Sequence, residues 1–259
     1  MPYREVAETV GNRMIDILEE LGRITGLAGA ALRDIIRGKI NAKLTLDQMV
    51  KIGVDSLPLA LITAAFIGMV FAVQIASEFV RFGAGKFVGG VMSIAMAREL
   101  GPAVTGIVVA ARVAASITAE IGTMKVSEQV DALESLGASP IRYLVIPRLI
   151  ATTLMLPLLT VLTIITGFFG GYLVAVTVSK INGVQYMETA QSLASLWDVY
   201  GGLIKTAVFG VIIAIISCYK GLTTRGGAKG VGESTTSSVV ITLISLFIVN
   251  YFLSIIFFK

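Results

Sequence analysis

Residues 57–79 read LPLALITAAFIGMVFAVQIASEF, and Glu78 is the single charged residue among these 23. A hydrocarbon core of about 30 Å needs about 20 helical residues to cross it. The stretch is therefore long enough and apolar enough for a membrane-spanning helix, even with Gln74 inside it. Its composition predicts an integral membrane protein.

Four further apolar stretches follow, at about residues 91–121, 149–179, 203–219 and 239–258. The whole chain is 55% hydrophobic and 15% charged, with a mean hydropathy of +0.86. A soluble domain of this length would need more charged residues than this to cover its surface. We therefore predict an all-α integral membrane protein with five transmembrane helices. The third stretch contains Pro157 and is longer than the bilayer core, so we expect it to tilt, kink or project.

The N-terminal region has a different character. Between residues 4 and 37, apolar side chains that start with Val6 and Val10 recur at three- and four-residue steps, with charged side chains between them. This pattern predicts an amphipathic helix that is too densely charged to span a membrane. Such a helix either packs on the rest of the protein or lies in the headgroup plane, and we favour the interfacial arrangement. We divide the chain into this N-terminal region, residues 1–51, and a five-span domain, residues 52–259.

The chain lacks the residues of several enzyme classes. It contains no histidine and one cysteine, Cys218, which argues against an imidazole base and a structural zinc site. No G-x-x-x-x-G-K-[ST] motif occurs, so the chain has no P-loop with which to bind nucleotide phosphates. The glycines of residues 225–232 resemble a phosphate loop in composition only, and we interpret residues 220–238 as a flexible loop. We expect no catalytic residue, no metal and no cofactor bound by this chain.

Ionisable residues inside the second apolar stretch are the first candidates for function, because charges at membrane depth are costly. Arg98 and Glu99 lie near its start. In one interpretation they line a cavity that receives the headgroup of an amphiphile. In the other, Arg98 extends to the outer headgroups while Glu99 pairs with a neighbouring helix. For Arg112 and Glu120, further along, we expect pairing or packing roles.

A polar interruption, residues 122–140, separates the second and third apolar stretches. We predict a short helix in it that starts with Ser127 as N-cap, extends to Leu136 and is stopped by Gly137. Its side chains divide into an acidic side and an apolar side: Glu128, Asp131 and Glu134 against Val130, Leu133 and Leu136.

The positions of the basic residues predict the orientation. Lys and Arg concentrate in the N-terminal region and in the polar segments after the second and fourth stretches, with fewer in the other connections. By the positive-inside rule the N-terminus is cytoplasmic and, after five spans, the C-terminus lies outside. The sequence pI is about 9.2. Because the basic residues lie beside the apolar stretches and do not form one basic tract, this excess of positive charge fits membrane orientation better than nucleic-acid binding, and we expect no nucleic-acid partner.

Two blocks of the sequence resemble the MlaE-type permease family. The first contains RELGP at 98–102, AR at 111–112, TAEIG at 118–122 and MKVSEQVDAL at 124–133, followed by Pro140 and Pro147. The second is GLTTRGGAKGVG at 221–232. The resemblance extends over nearly the whole chain after residue 40.

The resemblance implies the permease subunit of an ABC transporter, working as a homodimer. Two cytoplasmic ATPase subunits would bind the ATP and magnesium, and MCE-domain proteins would stand on the far side. Such complexes move phospholipids or related hydrophobic molecules between the bacterial inner membrane, or the plastid inner envelope, and an outer envelope layer.

The resemblance also implies roles for residues. It places Gln74, Arg98 and Glu99 near a lipid cavity at the dimer interface. It makes the short helix after the second span a coupling helix seated in the ATPase, with these positions: Glu128, Gln129, Val130, Asp131, Ala132, Leu133 and Leu136.

Without the resemblance, a secondary transporter and a channel are the alternatives. A secondary transporter typically shows inverted repeats, and no duplication is evident in the five stretches. A channel would use Arg98, Glu99 and Arg112 to line a pore. Both alternatives work without an ATPase.

Overall fold

The computed structural model describes the backbone of residues 2–259 and the side chains of residues 14, 15 and 18–259. Val6 and Val10 of the predicted amphipathic pattern therefore lie outside the described side chains. Every regular element of the described chain is a helix, as the sequence predicts.

In the described part of the chain, five helical segments are long and apolar enough to cross a membrane, which confirms the predicted number. We call them spans one to five: Ala42–Arg81, Gly85–Val126, Ile141–Thr177, Leu196–Leu222 and Gly227–Phe258. Most begin well before the apolar stretch that predicts them, because polar residues continue the helix beyond the length that the hydrocarbon core requires.

The helices within these spans are shorter, because several spans contain breaks. In chain order they are α1 (Pro2–Ile36), α2 (Ala42–Ile52), α3 (Leu57–Arg81), α4 (Val88–Ala95), α5 (Gly101–Val109), α6 (Ala115–Val126), α7 (Gln129–Ser135), α8 (Ile146–Thr177), α9 (Gly183–Leu193), α10 (Leu196–Leu222) and α11 (Gly227–Phe258). Successive spans run in opposite directions, so α1 and α7 lie at one end of the bundle and α9 at the other. We call these the α7 end and the α9 end.

Spans one and three make the most extensive contact in the bundle. Glycines allow this close approach, because a Cβ on Gly68 would collide with the backbone of Gly167 and one on Gly170 would lie 2.6 Å from the carbonyl oxygen of Ala65. Small residues at a helix crossing bring two backbones together in this way. Span four packs on spans two, three and five, and span two contacts all four other spans and is the most buried of the five.

Within residues 2–259, three wide π-helical turns interrupt the regular helix geometry: Met96–Leu100 and Ala110–Ala114 in span two, and Ile141–Val145 at the start of span three. Each contains one arginine, namely Arg98, Arg112 and Arg142. π-Turns occur often at functional sites, and here each arginine pairs with another part of the chain.

Two ion pairs among the described side chains hold helix α1 at the α7 end of the bundle. Glu20 accepts a hydrogen bond from Lys220 at the end of span four. Asp34 accepts one from Arg142 at 2.9 Å, and that hydrogen bond holds the pKa of the Asp34 carboxyl below its usual value. Because both partners lie at the same end of the bundle, α1 extends across that end from span four to span three.

The structure corrects two boundaries in the loops. The predicted flexible loop at residues 220–238 is helical except at residues 223–226. Its glycines form a tight turn instead: Gly226 and Gly227 have φ angles of 88° and 67°, a conformation in which a Cβ is strained. A Cβ on Gly230 would collide with the Arg225 carbonyl.

The second correction concerns the start of α7. The predicted N-cap, Ser127, ends α6 and donates to the carbonyl of Thr123 at 2.7 Å. The residue that precedes α7 is Glu128, in a left-handed conformation with φ 60°. The chain turns sharply there, which the spacing of polar residues does not reveal.

Candidate functional site

Arg98 forms the first of two ion pairs near the α9 end of the bundle. Its Nε donates to Asp198 Oδ1 at 2.7 Å, and its guanidinium lies 5.0 Å from the centre of the Phe258 ring. Asp198 is buried and also accepts a hydrogen bond from the backbone N–H of Ser195 at 2.9 Å. A capping box at the start of α10 thus fixes the carboxylate that holds Arg98.

Glu99 forms the second ion pair, with a lysine from span four. Lys205 Nζ donates to Glu99 Oε1 at 3.0 Å, to the carbonyl of Arg98 at 2.9 Å and to Ser254 Oγ at 2.9 Å. Asn250 of span five donates to the other carboxylate oxygen of Glu99 at 3.1 Å. All three donor hydrogens of the Lys205 ammonium group are therefore used.

Each of the two ion pairs joins a buried side chain to a partly exposed one. The side chains of Asp198 and Lys205 are 2% and 0% exposed, whereas those of Arg98 and Glu99 are 35% and 42% exposed. Each buried charge is thus neutralised by a charge that also reaches the surface of the chain. We call Arg98, Glu99, Asp198 and Lys205 the charged cluster.

The charged cluster contains both residues that the sequence singles out and two that it does not. Sequence patterns missed Asp198 and Lys205 as partners, because each is distant from Arg98 and Glu99 along the chain. A local signal existed for Asp198, since Ser195 three residues earlier makes a capping-box pattern. Lys205 near the start of an apolar stretch was a second such signal.

Gln74 lies apart from the charged cluster, in a groove between spans one and two. The groove has a volume of about 330 Å³, and its lining is Thr63, Phe66, Ile67, Val70, Phe71, Gln74 and Leu100. Six of these residues belong to α3, and the seventh, Leu100 of span two, follows Glu99 directly along the chain. An apolar groove next to paired charges offers separate surfaces to the chains and the headgroup of an amphiphile.

A second polar network joins spans one and two where span one breaks between α2 and α3. Arg112 Nη1 donates to the Lys51 carbonyl at 3.0 Å and to Ser56 Oγ at 2.8 Å, and Nη2 lies 3.4 Å from Asp55. The guanidinium thereby satisfies a carbonyl beside the helix break. Backbone groups freed at membrane depth require such partners.

The same network reaches span three through Glu120. One oxygen of Glu120 lies 2.9 Å from Arg148 and the other 3.7 Å from Lys51. Arg148 is buried and also donates to the Leu144 carbonyl at 2.8 Å. Glu120 therefore joins spans one, two and three at the α7 end.

Helix α7 lies immediately beyond this network. Lys125, in the last turn of span two, donates to Asp131 of α7 at 2.6 Å. Val130 is buried and Leu133 half-buried against the bundle, whereas Leu136 is 84% exposed. The remaining positions of the predicted coupling helix are exposed: Glu128, Gln129, Asp131 and Ala132. The predicted apolar side is thus divided, with two residues inward and Leu136 outward.

Comparison with known proteins identifies close relatives of this chain. The sequence model described as Permease MlaE matches residues 45–256. A protein of Synechocystis sp. PCC 6803 named "Probable ABC transporter permease protein" is 51% identical over 228 residues, which cover 88% of this chain and 87% of that protein. A protein of the same name from Rickettsia felis is 43% identical over 254 residues, 98% of each chain. The chloroplastic protein TRIGALACTOSYLDIACYLGLYCEROL 1 of Arabidopsis thaliana is 46% identical over 233 residues, 90% of this chain and 67% of that protein.

Proposed function

This chain belongs to the MlaE permease family, and from that premise we propose that it is the lipid-conducting subunit of an ABC transporter that moves phospholipids. It works as a homodimer with a separate ATPase, which binds and hydrolyses the ATP, and with an MCE-domain protein that receives or delivers the lipid. One relative carries the name of a diacylglycerol glycolipid, which supports a two-chain lipid as the substrate.

The observation that carries this proposal is the charged cluster together with the apolar groove that Leu100, the next residue after Glu99, helps to line. Arg98 and Glu99 present one positive and one negative group at the surface. A zwitterionic or anionic headgroup binds there through its phosphate, and its chains follow the groove past Gln74. Each acyl CH₂ is worth about 0.8 kcal/mol in apolar surroundings, so a continuous apolar path is needed for release as well as for binding.

In this proposal the face formed by spans one, two and five is the dimer interface, and two copies enclose the lipid between them. Span five is buried least of the five within one chain. Its outward side chains are large and apolar, including Ile244, Phe247 and Tyr251. A second copy covers this face and converts the open groove into a cavity.

The α7 end faces the cytoplasm and the ATPase, in a bacterial inner membrane or a plastid inner envelope. The basic residues of the described segments support this orientation. Movement of α7 by the ATPase passes through Lys125 and Asp131 into span two. Glu120 then couples span two to spans one and three. The cavity narrows, and the lipid leaves towards the MCE-domain protein or enters by the reverse path.

Coexpression with its ATPase and reconstitution into vesicles test this function. Leu136→Ala removes the most exposed apolar side chain of the α7 segment, so we expect about tenfold weaker binding of the ATPase and loss of ATP-dependent lipid movement. Leu136 suits this test better than Leu133, because Leu133 packs partly against the bundle. Leu18→Ala, an exposed leucine of α1, is the matched control.

Two outcomes would contradict the proposal. ATP-dependent lipid movement that is unchanged in Leu136→Ala would exclude α7 as the coupling helix. A purified wild-type chain that binds no ATPase and carries no phospholipid, as judged by mass spectrometry, would favour a channel or a secondary transporter.

A further inference from the structure

An apolar groove on another face of the bundle lies between α1 and spans three and four. Its volume is about 420 Å³. Helix α1 contributes Ala28, Gly29, Leu32 and Ile35, and α8 and α10 contribute the other side. Thr153 is the one polar side chain of the lining, and its hydroxyl donates to the Leu149 carbonyl at 2.7 Å. The groove therefore offers a ligand only apolar contacts.

The described part of α1 has three faces. One packs on the bundle through residues such as Ala31. A second is apolar and exposed, with Leu21, Leu32 and Ile36 along it. A third, charged face carries Arg23, Arg33 and Arg37. A helix with separate apolar and charged faces lies at a membrane surface with its apolar face towards the acyl chains. The groove then lies at the depth of the part of the acyl chains next to the headgroups.

Basic residues concentrate at the end of α1 that borders the groove. Arg33 and Arg37 are both exposed. Arg33 lies in the last turn of α1, and Arg37 follows the end of the helix directly, with its backbone N–H donating to the Arg33 carbonyl at 3.2 Å. Arg33 also lies one turn after Gly29, which lines the groove. The one acidic residue nearby, Asp34, is engaged by Arg142 and Lys39. A lipid whose acyl chain lies in the groove thus has its phosphate beside Arg33 and Arg37. No described carboxylate forms an ion pair with either arginine.

We propose that this groove binds one acyl chain of an anionic phospholipid whose phosphate is held by Arg33 and Arg37. The site lies on a different face from the charged cluster and the groove of Gln74. It needs only that the five helices cross a membrane, so it stands or falls separately from transport.

A transmembrane helix of a partner protein fits the groove less well than a lipid. The lining on span three is confined to residues 149–154 and that on span four to residues 211–215, about 8 Å of helix. A partner helix would need contact along most of a span of about 30 Å. An acyl chain that starts at the headgroup level needs only the upper part.

Quenching of tryptophan fluorescence by brominated lipids tests the proposal directly. Trp197→Phe removes the only tryptophan, and Leu154→Trp then places a probe in the groove lining. Leu162→Trp, an exposed leucine of the same helix outside the groove, reports ordinary surrounding lipid. Both are reconstituted in phosphatidylcholine with added dibrominated phosphatidylglycerol or dibrominated phosphatidylcholine.

Quenching of the Leu154→Trp probe should show that the groove binds the anionic lipid more tightly than the zwitterionic lipid, by about fivefold for each arginine that contacts the phosphate. The Leu162→Trp probe should show little preference. Arg33→Gln with Arg37→Gln should abolish the preference, and high salt should weaken it. Gly29→Leu should fill the groove and reduce quenching by both lipids. Gly26→Leu is its control, since both glycines have open space around them but Gly26 does not line the groove.

Three results would overturn the proposal. They are equal quenching of the groove probe by the two lipids, a preference that persists without both arginines, and a groove probe that neither lipid quenches while Leu162→Trp is quenched. The last result would mean that a protein segment occupies the groove.

Discussion

At the residue scale, the charged cluster is held by long-range pairs. Lys205 is completely buried, and its three hydrogen bonds reach spans two and five. An unpaired ammonium in this position would be strongly destabilising, because charges at membrane depth depend on a partner. Glu99 is therefore needed for the bundle itself as well as for the proposed headgroup contact.

The first prediction concerns this pair. Lys205→Met should lower the free energy of unfolding by about 3 kcal/mol, since it leaves Glu99 partly buried without its cation. Adding Glu99→Gln should restore most of that loss. Thermal unfolding of the detergent-solubilised protein measures both effects.

A matched control is available in span five. Lys229 pairs with Glu233 on an exposed surface, so Lys229→Met should change stability by less than about 1 kcal/mol. If the double variant were as unstable as the sum of its single variants, the coupling between Lys205 and Glu99 would be disproved.

Sequence alone predicted Arg98 and Glu99 and not their partners. A charge inside an apolar stretch is visible as a local contrast, whereas the identity of its partner depends on how helices pack. Asp198 and Lys205 are about 100 residues away along the chain. No periodicity connects positions so far apart.

At the element scale, the long apolar helices and the short helix α7 were predictable from the sequence, whereas α9 and the glycine-rich start of α11 were not. A continuous apolar stretch of about 20 residues indicates a membrane-spanning helix. Helix α9, at residues 183–193, has no such signature. It forms because Asn182 caps it, accepting from the Val184 N–H at 2.9 Å, and because it packs on α4. The glycines after Arg225 mark a tight turn and a helix start, so their composition misled the prediction of a loop.

The second prediction concerns how α1 is fastened. Asp34→Asn removes the charge that Arg142 contacts, so we expect faster hydrogen exchange in residues 24–36 at neutral pH. The same loosening should occur in the wild-type chain on acidification. The pKa of Asp34 is lowered on folding, so its contribution is complete above the unfolded value of about 3.9 and is lost only as the pH falls through the lower folded value.

Exchange measured by mass spectrometry over pH 7 to 3 checks both parts. Asp47→Asn, an exposed carboxylate of α2, should leave α1 unchanged. Loss of protection in residues 24–36 of the wild-type chain already at pH 5 would show that this end of α1 does not depend on the pair of Asp34 and Arg142.

At the scale of the whole molecule, one chain leaves large apolar side chains exposed on spans one, three and five. A membrane supplies lipid to cover such side chains, so exposure by itself does not identify a partner. The proposed dimer is supported instead by two positions: the Gln74 groove lies on span one, and the charged cluster contacts Asn250 and Ser254 of span five. The family resemblance supplied that expectation from the sequence, and composition and periodicity did not.

The third prediction tests the dimer face by cross-linking. Cys218 is buried and is the single cysteine, so Cys218→Ala gives a cysteine-free background. Phe247→Cys on span five should then yield a covalent dimer with a bifunctional maleimide in native membranes. Leu158→Cys on span three, with a similar exposure, should not. Cross-linking at Leu158→Cys and not at Phe247→Cys would place the interface on span three.

The three π-turns also bear on how a chain of this kind can change its length. A residue deleted from an ordinary helix rotates everything beyond it by about 100°, which would turn a span's inward side outward. A π-turn holds one residue more than an α-turn, so a deletion inside Met96–Leu100 or Ala110–Ala114 can be absorbed by reverting to regular helix. Both flanks then keep their register, and the arginine of that turn is displaced. Insertions and deletions that survive in span two over evolution should therefore fall at these turns, and they should alter the arginine pairing before they alter the fold.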